Sequence, residues 1–271
     1  MAIDLNALWD FQNPSLSEHR FRTALATATG DDALIIETQI ARTYSLRREY
    51  DTTRQILKSI QPRLATAGPE PQVRAALELG RSYASASHPP DAVTPEAQAS
   101  ARSAYSRAYD LAKAAGLDSL AIDALHMLAF VDTAPVDQLK WGQAALDIAL
   151  SSSHPAAKAW EAPLRNNIGH ALLQLARYDE ALAQFQRAAT LREQGADEQS
   201  KRIARWTVAR TLRSLNRIDE ALAAQLSLEH DCAAAQAPDI YVFEELELLY
   251  RAQGNHPRAA HYAALRQTLT T

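Results

Sequence analysis

The sequence predicts an all-α chain, an α-solenoid of stacked antiparallel helix pairs, on three observations. Between residues 164 and 190, apolar side chains recur at three- and four-residue intervals: Leu164, Ile168, Leu172 and Leu175 in one run, then Leu182, Phe185 and Ala189 in the next. That is the period of two amphipathic helices. The run RIDEALAAQ at 217–225 then matches RYDEALAQF at 177–185 almost residue for residue, displaced by 40 positions. No alternating run of β-branched residues is long enough for a sheet, and the 271 residues include only 8 glycines. A helix pair this short cannot bury its apolar face alone, so copies must stack and share a core. The length also exceeds the roughly 250 residues at which one compact core stops growing.

In chain order, Trp9 and Phe11 precede a helix expected over 15–29, opened by Ser15 with Glu18 as a capping box and turning Phe21 and Leu25 inward. This half-repeat is expected to close the N-terminal end of a single array spanning 1–271. Six helix pairs follow, at 32–67, 70–116, 117–152, 155–194, 197–235 and 238–269. In the first pair Ala41, Tyr44, Leu57 and Ile60 take the positions of Gly169, Leu172, Phe185 and Ala188, with Thr53 where alanine is preferred. The second pair has Gly80, Tyr83, Ala101, Tyr105 and Ala108 in register once the polar insertion 87–95 is removed. Thr94 then caps a helix that Pro95 opens. The third pair, with Ala129, Trp141, Ala145 and Ile148, departs most from the pattern and carries Pro135 in its turn. The fourth is the stretch already described, its first helix starting as early as Pro155. The fifth has Ala209, Leu212, Ala221 and Leu228, and the sixth Tyr250, Gly254 and Ala259, with Gly254 in the turn.

Gly169, Leu172, Tyr178, Ala181, Phe185 and Ala188 have the spacing of a tetratricopeptide repeat, and the chain resembles that family from about Leu16 onward. The repeat length near 40, rather than about 34, resembles the long-helix type found in bacterial regulator and sensor proteins. The resemblance implies a right-handed superhelix whose first helices line a concave face and whose work is binding a protein or peptide.

Composition narrows the classes further. A formal charge of −4 is the wrong sign for a nucleic-acid binder. No run of 18 apolar residues suggests a membrane span, and MAIDLNALWDFQ lacks the features of a secretory signal, so a cytoplasmic protein is expected. Cys232, the single cysteine, permits neither an internal disulfide nor a multi-cysteine metal site. No phosphate loop, nucleophile elbow or HExxH motif is present, so no catalytic residue and no cofactor is assigned. Asp123, His126 and His170 are the one grouping with metal-ligand chemistry, and local hydrogen bonding is the preferred role for these histidines.

Positions three before, one after and four after the Gly169 position form one helical stripe and are expected to face a ligand. They give Arg42, Arg81, His126, Phe130, Asn166, His170, Trp206, Arg210 and Arg213 as groove residues, with Thr38, Ser45, Leu77, Ala84, Thr133, Leu173, Glu244, Leu248 and Arg251 beside them. Asn167 joins them because asparagine at its position in related repeats holds a peptide backbone. The expected ligand is a segment bearing carboxylates, paired by arginines, with Trp206 or Phe130 receiving an apolar anchor. A regulatory sensor for a signalling peptide or regulator protein is the alternative, and a metal-dependent enzyme the remaining class. Leu265 and Tyr262 on the last helix raise a further expectation, a homodimer through the C-terminal helix pair.

Overall fold

The computed structural model describes residues 3–89 and 92–269, and among these the secondary structure consists of helices α1–α15 without strands. They fall into two compact units, Met1–Trp160 and Glu161–Thr271. The first contains α1 (Leu5–Leu8), α2 (Pro14–Leu25), α3 (Gly30–Leu46), α4 (Tyr50–Leu64), α5 (Pro69–Arg81), α6 (Pro95–Ala114), α7 (Asp118–Val131), α8 (Pro135–Ser151) and α9 (Pro155–Lys158). The second contains α10 (Glu161–Gln174), α11 (Tyr178–Glu193), α12 (Glu198–Ser214), α13 (Ile218–Ala234), α14 (Ile240–Ala252) and α15 (His256–Thr268). Within each unit, helices that follow one another in sequence pack side by side, and α3 also touches α5. Pro90 and Asp91 of the 87–95 insertion lie outside the described residues.

Six helices end in one device, four of them at the turn inside a pair and two, at Gly116 and Gln236, between one pair and the next. A residue with positive φ ends a helix at Arg48, Gly116, Ala176, Asn216, Gln236 and Gly254. The next residue donates its N–H to the carbonyl five positions back, as in Glu49 to Tyr44, Arg177 to Leu172 and Arg217 to Leu212, each at 2.9 Å. This is the Schellman bond, which satisfies a carbonyl the helix end would otherwise orphan. Four of the six positions carry a side chain rather than glycine, and of the two glycines sequence inspection placed only Gly254 in a turn.

Small residues let the helices approach. A β-carbon added to Gly169 would stand 2.6 Å from the Phe185 ring, and one added to Gly80 2.4 Å from the Tyr105 ring. Both rings are essentially fully buried, so α10 packs on α11 and α5 on α6 with the ring laid against bare backbone. Thr53, at an alanine position, is also fully buried; its hydroxyl donates to the Ala41 carbonyl at 3.0 Å and pairs with the Ser45 hydroxyl at 3.1 Å. A buried hydroxyl is tolerated when it is bonded in this way.

Several local expectations change. Helix α2 is capped by Asn13, whose side chain accepts from Leu16 N at 3.1 Å, with Pro14 in the first turn. Glu18 therefore makes no capping box and instead binds Arg22, Tyr44 and Arg47. Pro135 opens α8 rather than sitting in the turn, so α7 ends early at Val131 and Thr133 is outside it. Pro155 belongs to a separate short helix, α9, and α10 begins at Glu161. Tyr262 is not an uncovered apolar group: it is 2 % exposed, stacks on Tyr250 at 5.6 Å and donates to Glu229 at 3.0 Å. Leu265 packs against the same cluster, which also holds the buried Cys232.

Candidate functional site

In the first unit, Arg42 on α3, Arg81 on α5, and His126 and Phe130 on α7 line a cavity of about 260 Å³ with Ser85, Ser87 and Trp160. Two of these residues come from the start of the insertion and its approach. Tyr50 holds that segment in place, stacking on His88 at 3.9 Å and donating to the Ser87 carbonyl at 3.1 Å. Asp123 and Met127 line the cavity as well, so the contributing stripe of α7 is Asp123, His126, Met127 and Phe130.

Arg81 is not the exposed groove arginine the sequence suggests. Its side chain is 9 % exposed and donates to Glu78 at 2.5 Å and to both Asp123 oxygens at 2.6 and 2.7 Å. Burial by itself would lower its pKa, yet Asp123 and Glu78 raise it above the ordinary arginine value. Burial pushes the Asp123 carboxyl up, and the guanidinium groups of Arg81 and Arg42 outweigh that and hold it below the usual range. Asp123 is thereby occupied as an ion-pair partner, and among the described residues no group of three His, Cys, Asp or Glu side chains is placed to hold a metal ion. His126 packs edge-on to Phe130 at 5.1 Å and lies 5.4 Å from the Trp160 ring. Burial holds its imidazole below the usual histidine range against the pull of Asp123. Phe130 remains 43 % exposed.

Arg42 differs from Arg81. Among the described residues its ion-pair partner is Glu78, 3.7 Å from Nη1, and its buried Nε has no hydrogen-bond partner. The rings of Trp9 and Phe11 cover it, with centroids 5.7 and 5.6 Å from the guanidinium carbon. Thr38, Leu77 and Ala84 of the expected stripe are buried, and Ser45, though buried, lines the cavity beside Arg42 and Arg81.

In the second unit the stripe is more open. Positions 203, 206, 210 and 213 of α12 and 241, 244, 248 and 251 of α14 follow the same helical steps, so the two faces run in register. Arg213 is engaged, its Nε 2.5 Å and Nη2 3.2 Å from the two oxygens of the buried Glu245; Arg251 is bound to Glu247 at 2.5 Å. Arg210 is exposed and lies over the Trp206 ring at 5.3 Å, with no ion-pair partner among the described residues. Trp206 is held by its indole N–H, which donates to the Tyr241 carbonyl at 3.0 Å. Around this platform Ile203 is 46 %, Tyr241 61 % and Leu248 36 % exposed. On α10, His170 packs edge-on to Phe185 at 5.1 Å. Burial first, and then the charge of Arg210, hold its pKa below the usual histidine value. Asn166 is half-buried and Asn167 exposed on the same helix.

Sequence inspection missed Glu78, Glu245, Tyr241 and Trp160. Glu78 stands three residues before Arg81, a spacing that pairs charges on a helix. Tyr241 could have been found by stepping three back from Glu244.

No protein-family model matches the sequence, and no curated protein matches it significantly. Solved structures do share the fold. A Signal Transduction ATPase with Numerous Domains protein with a tetratricopeptide repeat sensor, from Pyrococcus horikoshii, superposes with a TM-score of 0.73 at 10 % identity over 94 % of this chain and 39 % of that one. The chain thus spans well under half of that protein. The apo form of RapI superposes at 0.72 with 13 % identity, over 97 % of this chain and 74 % of the other. BtubC from P. vanneervenii gives 0.53 at 13 % identity, over 99 % and 91 %. The fold is therefore a tetratricopeptide-like helical repeat.

Proposed function

We propose that this chain is a non-catalytic scaffold that binds an extended protein segment on the face formed by α10, α12 and α14. The observation that carries the reading is Arg210: an exposed guanidinium laid on Trp206, without an acidic partner among the described residues, beside exposed Ile203, Tyr241 and Leu248. A carboxylate from the ligand supplies the charge-assisted partner that Arg210 lacks. An apolar side chain one or two positions away is received by Trp206, Tyr241 or Leu248. Asn166 and Asn167 serve the ligand backbone, since an amide side chain offers both a donor and an acceptor. Arg213 and Arg81, spent on Glu245 and Asp123, position their helices instead. In the first unit, Phe130, His126 and Arg42 form a separate, smaller site.

A sensor role is the second reading, in which the bound segment is a signalling peptide or a regulator protein. It is supported by the likeness in fold to a protein described as carrying a tetratricopeptide repeat sensor.

The test is selection of peptides from a displayed random library against the full-length chain. The expected outcome is enrichment of an acidic residue within a few positions of an aromatic or aliphatic one. Enrichment of basic peptides, or none above an unrelated helical protein, contradicts the reading.

A further inference from the structure

The first unit already has something lying on its binding face, namely its own N-terminal segment. Trp9 and Phe11 stack on each other at 4.7 Å and cover Arg42. The Trp9 indole donates to the Gln39 side chain at 3.1 Å, one helical turn before Arg42. The seat is loose. Helix α1 has no buried residue, Phe11 is 58 % exposed, and a cavity of about 430 Å³ remains between residues 3–11 and the face made by Ile35, Gln39, Arg42, Arg74 and Ser119. The attachment point is firmer: Ser17, fully buried, donates to the Asp10 carbonyl at 2.9 Å and accepts from the Asp10 N–H at 2.7 Å. A terminal segment with no fully buried side chain among residues 3–11, tied down at one end, belongs to the parts of a fold that open at lower cost than the core helices.

Arg42 lines this cavity and also the one containing Arg81, His126 and Phe130, so Trp9 and Phe11 sit over the residue common to both. We propose that residues 3–11 are a displaceable self-ligand, and that the first unit binds a partner segment in which an aromatic side chain lies next to a carboxylate. The aromatic ring takes the place of Trp9 or Phe11 over Arg42, and the carboxylate accepts from the Arg42 Nε that no protein group satisfies. The chain's own occupant has the aromatic rings but not the acid, because Asp10 is turned back to accept from the N–H groups of Gln12 and Asn13 at 3.0 and 3.1 Å. Displacement merges the two cavities into one trough along α3, α5 and α7. This inference rests on the reading of the first-helix faces as binding surfaces, but it concerns only the first unit.

The probe is a fluorescein-labelled synthetic peptide of residues 3–12, titrated into full-length chain. With Trp9→Ala/Phe11→Ala the peptide is expected to bind at least tenfold tighter than with the unaltered chain, and Phe11→Ala alone to lie between. If the double variant loses its helical circular dichroism, Phe11→Ala, whose side chain is mostly exposed, decides with hydrogen exchange. Amides 5–9 are expected to exchange much faster than those of α3, and faster still with excess peptide. Equal affinity for folded variant and unaltered chain, or amides 5–9 as protected as α3, overturns the proposal. A concentration-dependent dimer in place of peptide binding overturns it in favour of segment exchange between copies. Any of these failures leaves the Arg210 face of the second unit untouched.

Discussion

Arg81 grips Asp123 with two hydrogen bonds from one nitrogen, at 2.6 and 2.7 Å, while its other terminal nitrogen holds Glu78. The pair joins α5 to α7 in the floor of the first unit's cavity. Removing one member leaves a charge in a nearly dry place, so Asp123→Ala is expected to destabilise the first unit by about 3 kcal/mol. Replacing both residues by apolar ones of similar size is expected to lose much less. Urea unfolding of the single and double variants checks this. The folded pKa of Asp123 is depressed, so the stability it contributes is complete above the unfolded carboxylate value near 4 and disappears as the pH falls through the lower folded value. The unaltered chain should therefore lose urea resistance below about pH 4 more steeply than Asp123→Ala.

At Gly169 two effects of opposite sign compete. Alanine is the better helix former by about 1 kcal/mol, but its β-carbon would lie 2.6 Å from a Phe185 ring that is 1 % exposed and has nowhere to go. Overpacking costs about 1–3 kcal/mol, so Gly169→Ala is expected to be net destabilising. Adding Phe185→Leu should recover part of the loss. Thermal melting of the three proteins distinguishes this from a simple propensity effect, under which Gly169→Ala would melt higher.

This glycine–ring contact is also the part of the fold most legible in the sequence, since Gly169 and Phe185 carry both the helical period and the repeat. The face that α12 offers is legible too, because stepping along one helix suffices. The ion network is not: Arg81 and Glu78 resemble any solvated pair of helix charges until the fold brings Asp123 to Arg81 from 42 positions away. Nor is α1, whose four residues are too few to show a period, and so the segment over Arg42 goes unseen. The end of α7 is misread for a third reason, because Pro135 suits a helix start as well as a turn.

Gln225 stands 40 positions after Phe185, in the ring's place on α13, and is fully buried with neither side-chain oxygen nor nitrogen hydrogen-bonded. An unsatisfied buried amide costs about 1–3 kcal/mol. Gln225→Leu, of similar volume, is expected to raise stability by about 1–2 kcal/mol, seen as a higher urea midpoint with an unchanged slope. A lower midpoint would mean that the amide has a partner in solution.

Titration of a library-selected acidic peptide decides whether the exposed Arg210 on Trp206 is a recognition platform. Anisotropy is measured with the unaltered chain, with Arg210→Ala, with Trp206→Ala, and with Arg187→Ala on α11 as a control on the second-helix face. Arg210→Ala and Trp206→Ala are expected to bind at least about tenfold more weakly, the control to bind unchanged, and the parent complex to weaken with added salt. Undiminished affinity after loss of Arg210 and Trp206, with the helical fold intact, would contradict recognition at this platform.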